Sequence, residues 1–210
     1  MKRFGAIAVF AMALMAAART ANAQSIGIPY MPVETGTGIF LSADYADQDI
    51  GTAYGISGGV GLGRFGIMAS VGTLDAGATL GDVTSYGARI GMRLFGGGLS
   101  PIAVGAQLGA ISTQDISPTG GSQTMILPAA FVRAGLPLFP VKGFGQVYYV
   151  TGSDLASSQE EVRFTIGANL NLLLGFGLHA AYDWGDSSDG WGIGAHFTFK
   201  LPGVPVVPGV

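Results

Sequence analysis

The sequence predicts a closed antiparallel up-and-down transmembrane β-barrel of ten strands, with eight as the alternative count, and three observations point to it. The chain is 49% hydrophobic and 11% charged, with 36 glycines in 210 residues; an ordinary soluble domain carries charge on about a quarter of its residues. Beyond the amino-terminal segment no unbroken apolar run reaches the roughly 18 residues of a membrane-spanning helix. The apolar residues are instead spread at a period of two, the repeat of a strand with two unlike faces. Lipid can take the apolar face of such strands, and a closed ladder then satisfies every backbone N–H and C=O.

The first residues set the compartment. Lys2 and Arg3 precede the 15-residue run FGAIAVFAMALMAAA, and Ala21-Asn22-Ala23 supplies small residues for a peptidase. This is the pattern of a cleaved secretory signal peptide over residues 1–23, too short for a bilayer anchor. Residues 24–35, with Pro29 and Pro32, read as a periplasmic lead, residues 36–200 as the barrel, and residues 201–210, with Pro202, Pro205 and Pro208, as an extended tail. The absence of cysteine excludes disulfides and thiolate metal sites.

The strands follow in order. Gly36 to Ala46 sets Ile39, Leu41, Ala43 and Tyr45 against Phe40, Ser42 and Asp44. Thr52 to Gly63 and Phe65 to Leu74 flank Gly63-Arg64, a two-residue loop with glycine first that suits a type II′ hairpin. Val83 to Phe95 turns Ala88, Ile90 and Met92 outward and Arg89 and Arg93 inward, and Pro101 to Ser112 turns Ile102, Val104 and Leu108 outward. Thr124 to Leu138 and Lys142 to Gly152 have no clear phase: Pro128 and Pro137 interrupt the first, and Tyr148-Tyr149 hides that of the second. Val162 to Leu174 recovers the alternation, and Phe176 to Trp184 and Trp191 to Lys200 complete an even number, as expected when both ends of a single-chain barrel lie on one side.

Connections and charge agree with this. The longer connections (Asp47 to Gly51, Asp75 to Asp82, Thr113 to Gln123, Ser153 to Glu161, Gly185 to Gly190) alternate with mostly shorter ones, and they hold ten of the thirteen acids and no Lys or Arg. That is the division between external loops and periplasmic turns. Tyr45, Tyr54, Tyr86, Tyr182, Trp184 and Trp191 mark one interface, and Phe65, Phe144, Phe176 and Phe199 the other.

Inside the barrel the phase places Arg89, Arg93, Arg133, Arg163, Asp44, Asp183, His179 and His196. Four arginines against two acids fit either an anion-preferring pore or a bore filled by ion pairs, and the small strand number favours filling. A last loop centred between Ser187 and Ser188 pairs Trp184 with Trp191 and His179 with His196. Facing imidazoles are a weak metal or proton-sensitive candidate, and a hydrogen-bonded lumen pair is the simpler reading. Asp186 and Asp189 resemble a fragment of a calcium loop without its closing Glu; they are expected, at most, to hold Ca²⁺ or Mg²⁺ loosely. Gly61-Leu-Gly63-Arg-Phe-Gly66 matches a dinucleotide fingerprint but leads into a strand rather than a helix. No catalytic constellation is present, because both histidines lie mid-strand and inward.

Gly194-x-x-Phe197-x-Phe199 resembles the terminal β-signal of Gram-negative outer-membrane barrels, and the chain resembles the broad family of small barrels that includes OmpA-, OmpX- and OmpW-like proteins. The resemblance implies recognition by the barrel-assembly machinery, outer-membrane lipid as the main partner, no cofactor and no enzymatic activity. A structural or surface-interaction role is expected, with a narrow solute channel as the alternative. The acidic balance, a formal charge of −3, gives no basic patch for nucleic acid, and no extracellular partner is specified.

Overall fold

A computed structural model describes residues 30–49, 51–75, 82–97, 100–113, 123–136, 139–152 and 160–200. The expected signal peptide, residues 24–29 of the lead, the tail 201–210, and the loop acids Asp115 and Asp154 lie outside the described residues.

The ten strands are β1 (Gly36–Gln48), β2 (Gly51–Gly63), β3 (Phe65–Asp75), β4 (Asp82–Gly96), β5 (Ile102–Thr113), β6 (Gln123–Ala134), β7 (Val141–Val150), β8 (Glu161–Asn171), β9 (Phe176–Trp184) and β10 (Asp189–Phe199). Each pairs antiparallel with its sequence neighbour, and β1 closes the ring against β10, Ile39 facing Phe199 and Gln48 facing Gly190. The architecture is therefore the closed up-and-down barrel that the period of two predicts, with ten strands.

Local chemistry explains the corners. Leu62 pairs with Phe65 across Gly63-Arg64, and Gly63 has φ +70° while Arg64 stays at negative φ; this is the glycine-first hairpin, and it leaves the G-x-G-x-x-G stretch as two strands and a turn. A bulge between Arg93 and Phe95 shifts the β4–β5 register near its end. The β8–β9 turn holds a short 3-10 segment, Leu173–Gly175, in which Leu174 takes φ 60° and Gly175 φ 86°.

The unreadable strands resolve. In β6, Leu127 and Phe131 point inward and Ile126, Pro128 and Val132 outward; in β7, Phe144, Gln146 and Tyr148 point inward and Val147 and Tyr149 outward. Phe144 thus belongs to the interior and not to an interfacial ring of aromatics. At the long-loop end the outer aromatics form a belt, with Tyr45 5.3 Å from Tyr54 and 5.8 Å from Trp191, and Tyr182 5.8 Å from Trp184 between ring centroids.

The last hairpin closes one residue earlier than expected. Trp184 pairs with Asp189 and Tyr182 with Trp191, so His179 faces Gly194 and His196 faces Gly177. The reason is the loop: Glu161 accepts from the Ser187 main-chain N–H at 2.9 Å, and Arg163 Nη2 donates to the Ser188 carbonyl at 2.9 Å. Pinned in this way, residues 185–188 form the loop and Asp189 joins the strand. A two-residue slip leaves every side chain on its predicted face.

The lead departs most from expectation. Its described part, Tyr30 to Thr35, does not lie beyond the barrel; Tyr30, Met31 and Val33 are buried inside it. Among the described residues, three of the four interior apolar clusters contain a residue of this segment: Tyr30 with Ile111, Leu127 and Tyr148; Met31 with Phe144 and Ala181; Val33 with Phe40 and Met68. Ile111 and Tyr148 stand near the long-loop ends of their strands, whereas Met68 is near the opposite end of β3. The segment therefore descends through the lumen before the chain turns back upward as β1.

Candidate functional site

The barrel interior is the candidate site, and it is built in three connected parts.

The first holds the descending segment by side chains. Arg89 Nη1 donates to the Met31 carbonyl at 2.6 Å, Gln107 Oε1 accepts from the Val33 N–H at 2.7 Å, and Gln146 Nε2 donates to the Tyr30 carbonyl. Arg133 forms a two-pronged pair with Glu34, Nη1 to Oε2 and Nη2 to Oε1 both at 3.0 Å, and its Nη2 also reaches the Pro32 and Val33 carbonyls at 3.0 Å. Two parallel N–H···O bonds to a carboxylate are the strongest geometry a guanidinium offers. Glycines make the space: a Cβ at Gly91 would stand 3.0 Å from Val33 Cβ, one at Gly109 would stand 2.5 Å from the Tyr30 hydroxyl, and one at Gly66 would strike the Glu34 carbonyl.

The second part is a polar chain across β2, β1, β10 and β9. Ser57 and Ser42 share a hydrogen bond of 2.7 Å, the Ser42 hydroxyl donates to Asp44 at 2.8 Å, Asp44 binds His179 Nε2, and His179 Nδ1 lies 3.2 Å from His196 Nδ1. His196 stacks on Phe40 with centroids 5.7 Å apart. The two histidines meet as expected, but diagonally rather than face to face, and Asp44 joins them.

The third part lies toward the long loops. Asp183 accepts from Arg163 at 2.6 Å, from the Tyr148 hydroxyl at 2.8 Å and from the Thr165 hydroxyl at 2.6 Å; Arg163 also donates to Glu161 at 2.6 Å. A buried carboxylate with this many donors is fully compensated.

The predicted lumen residues are thus divided among three sites: Arg89 and Arg133 hold the segment, Asp44, His179 and His196 form the polar chain, and Arg163 and Asp183 the upper cluster. Arg93 lies against Gly97 near the short turns. Asp186 and Asp189 are exposed; Asp189 accepts from the Tyr182 hydroxyl at 2.9 Å, and its N–H donates to Asp49 at 3.2 Å. Asp75 stands directly opposite Asp82. Among the described residues no three His, Cys, Asp or Glu side chains are grouped to hold a metal ion. Gly194 stands opposite both Asp44 and His179, while Phe197 and Phe199 stand opposite Leu41 and Ile39.

Sequence reasoning missed Tyr30 to Glu34, Gln107 and Gln146. A signal was present: with ten acids in the loops and Asp44 and Asp183 inside, Glu34 is the one acid left over, and the inward arginines outnumber the inward acids.

Register and interior together define a closed ten-stranded antiparallel barrel with an apolar outer face and an occupied lumen. The sequence matches no protein-family model and no curated protein. Among solved structures it is similar to the KdgM porin (6% identity, TM-score 0.48, covering 76% of this chain and 99% of that one). It is also similar to the β domain of the Bordetella autotransporter BrkA (13%, TM-score 0.47, 78% and 99%) and to the N-terminal β-barrel domain of Pseudomonas aeruginosa OprF (17%, TM-score 0.38, 78% and 100%). These likenesses concern architecture.

Proposed function

We propose that the chain is a non-enzymatic β-barrel of the bacterial outer membrane with a structural or surface-interaction role. The observation that carries this is the outer face: Ile56, Ile67, Ile90, Leu108, Ile166 and Ile193, spread around the ring, are each more than half exposed. A continuous apolar belt of that extent has lipid as its natural partner. Aromatics at one rim of the belt and acids beyond them support an orientation with the longer loops outside. The terminal Gly194, Phe197 and Phe199 support delivery by the barrel-assembly machinery after removal of residues 1–23. The loops then present a carboxylate-rich surface to an external partner, with loosely held Ca²⁺ or Mg²⁺ among the acids.

Membrane fractionation with heated and unheated electrophoresis tests this. The protein is expected in the outer-membrane fraction, with unheated samples migrating differently from heated ones because the closed ladder survives mild detergent. A protein that stays soluble in the periplasm without detergent overturns the reading.

A further inference from the structure

We propose that Tyr30 to Glu34 is a displaceable strap closing an anion-preferring passage through the barrel, an activity beyond the structural role above and resting on the same membrane placement.

Three observations converge on the strap. None of its residues belongs to a strand; its main chain is held by the side chains of Arg89, Gln107, Arg133 and Gln146. It can therefore leave without breaking the barrel's ladder, on which closure depends. The space it leaves is that of one extended chain, about 5 by 10 Å in section from the spacings between strands and between sheets, wide enough for a small ion that exchanges part of its water for the lining donors. The charge left behind is positive. Arg133 has its carboxylate partner, Glu34, in the strap itself, while Asp44 and Asp183 stay with the barrel, bound to His179 and Arg163; the other strap oxygens held by Arg133 and Arg89 are the Pro32, Val33 and Met31 carbonyls. Those oxygens stand where an anion's would: the strap occupies donors suited to a small inorganic anion or a carboxylate. Rings of arginine in a narrow bore select for anions.

A chain without cysteine allows a clean lock. Val33→Cys with Gly91→Cys places two sulfur-bearing carbons side by side, since a Cβ at Gly91 lies 3.0 Å from Val33 Cβ and a disulfide takes about 3.8 Å. The full-length chain with Tyr30→Ala and Glu34→Gln loosens the strap. All variants are reconstituted in planar bilayers with a KCl gradient, and unheated mobility from the same preparation establishes insertion, so that a silent bilayer bears on the strap and not on the barrel. Openings of the loosened variant are expected to be about tenfold or more as frequent as in the natural chain, because bonds to charged groups stabilise by enough to shift an equilibrium that far. Their reversal potential is expected to favour chloride, and oxidation of the cysteine pair built into the loosened variant is expected to silence them until reduction. Failure of the cysteines to cross-link, conduction that persists after oxidation, preference for potassium, or silence of the inserted, loosened variant would each overturn the proposal.

Discussion

Asp44 and His179 meet across Gly194, which faces both of them from the strand between. A Cβ at Gly194 would stand 2.5 Å from Asp44 Oδ1 and would strike His179 Nε2, so a residue that fits the terminal assembly motif also holds open the gap in which a buried acid and imidazole join. Gly194→Ala is expected to cost about 1–3 kcal/mol, the range for forcing a methyl group into a filled interior. Urea titration of protein refolded into detergent micelles measures this without the assembly machinery, and a change below a few tenths of a kcal/mol would show that the pair tolerates the intrusion. Asp44→Asn in the Gly194→Ala background should add little, because both substitutions act on one contact.

Arg163 ties the upper lumen to the last loop. Arg163→Met leaves the Asp183 carboxylate buried without its cation and releases Ser187 and Ser188; an unpaired buried charge of this kind costs about 3–5 kcal/mol. The loss should be smaller in Arg163→Met/Asp183→Asn, and protease cleavage within residues 185–188 should rise in the single variant. Equal stability of the single and double variants would mean that the cluster does not act as a unit.

Ile90 and its neighbour Gly91 separate the two faces. Arginine at Ile90, mid-strand and outward, is expected to cost about 2–4 kcal/mol if lipid lies there. At Gly91 the penalty arises differently, because the new side chain meets Val33 and Gln107, and the expected result is expulsion of the strap, seen as new protease sensitivity near Tyr30. Denaturant titration in vesicles and limited proteolysis separate the two, and equal behaviour at both positions would contradict the assigned faces.

The acidic rim brings like charges together: Asp75 stands across from Asp82, and Asp49 reaches the backbone of Asp189. Like charges directly opposite are destabilising, and a divalent cation relieves that repulsion. Calcium at low ionic strength is expected to slow proteolysis of the longer loops, with the protection reduced in Asp186→Asn/Asp189→Asn and lost as added salt shortens the screening length. Loop cleavage indifferent to calcium would leave the acids as a solvated surface.

Eight strands were legible because one face of each is apolar and the other polar or glycine, a contrast that alternation carries directly. β6 and β7 were opaque for a physical reason: Leu127, Phe131, Phe144 and Tyr148 are apolar and point inward, so both faces look alike. Three of the four share an interior apolar cluster with Tyr30 or Met31. The loss of contrast was itself the trace of an apolar lumen content. The strap stayed hidden because a segment held by side chains has no period of its own. The His179–His196 encounter was legible in phase but not in register, since a two-residue slip changes partners without changing faces, and only the bonds of Glu161 and Arg163 to the loop fix the choice.

The seam between β1 and β10 joins the two ends of the barrel sequence, and the strap immediately precedes the first of them. The segment just before β1 is therefore enclosed by a wall completed only when β10 arrives. Either the strap lies in the concave face of an unclosed sheet while the final hairpin docks, or Tyr30 has to be fed through a finished ring, past the bulk of Phe144 and Tyr148. In the first order of events the segment would have the part of a mandrel: the sheet would curl around the residues that precede it, and the distant strands would share an object at the centre before the seam forms.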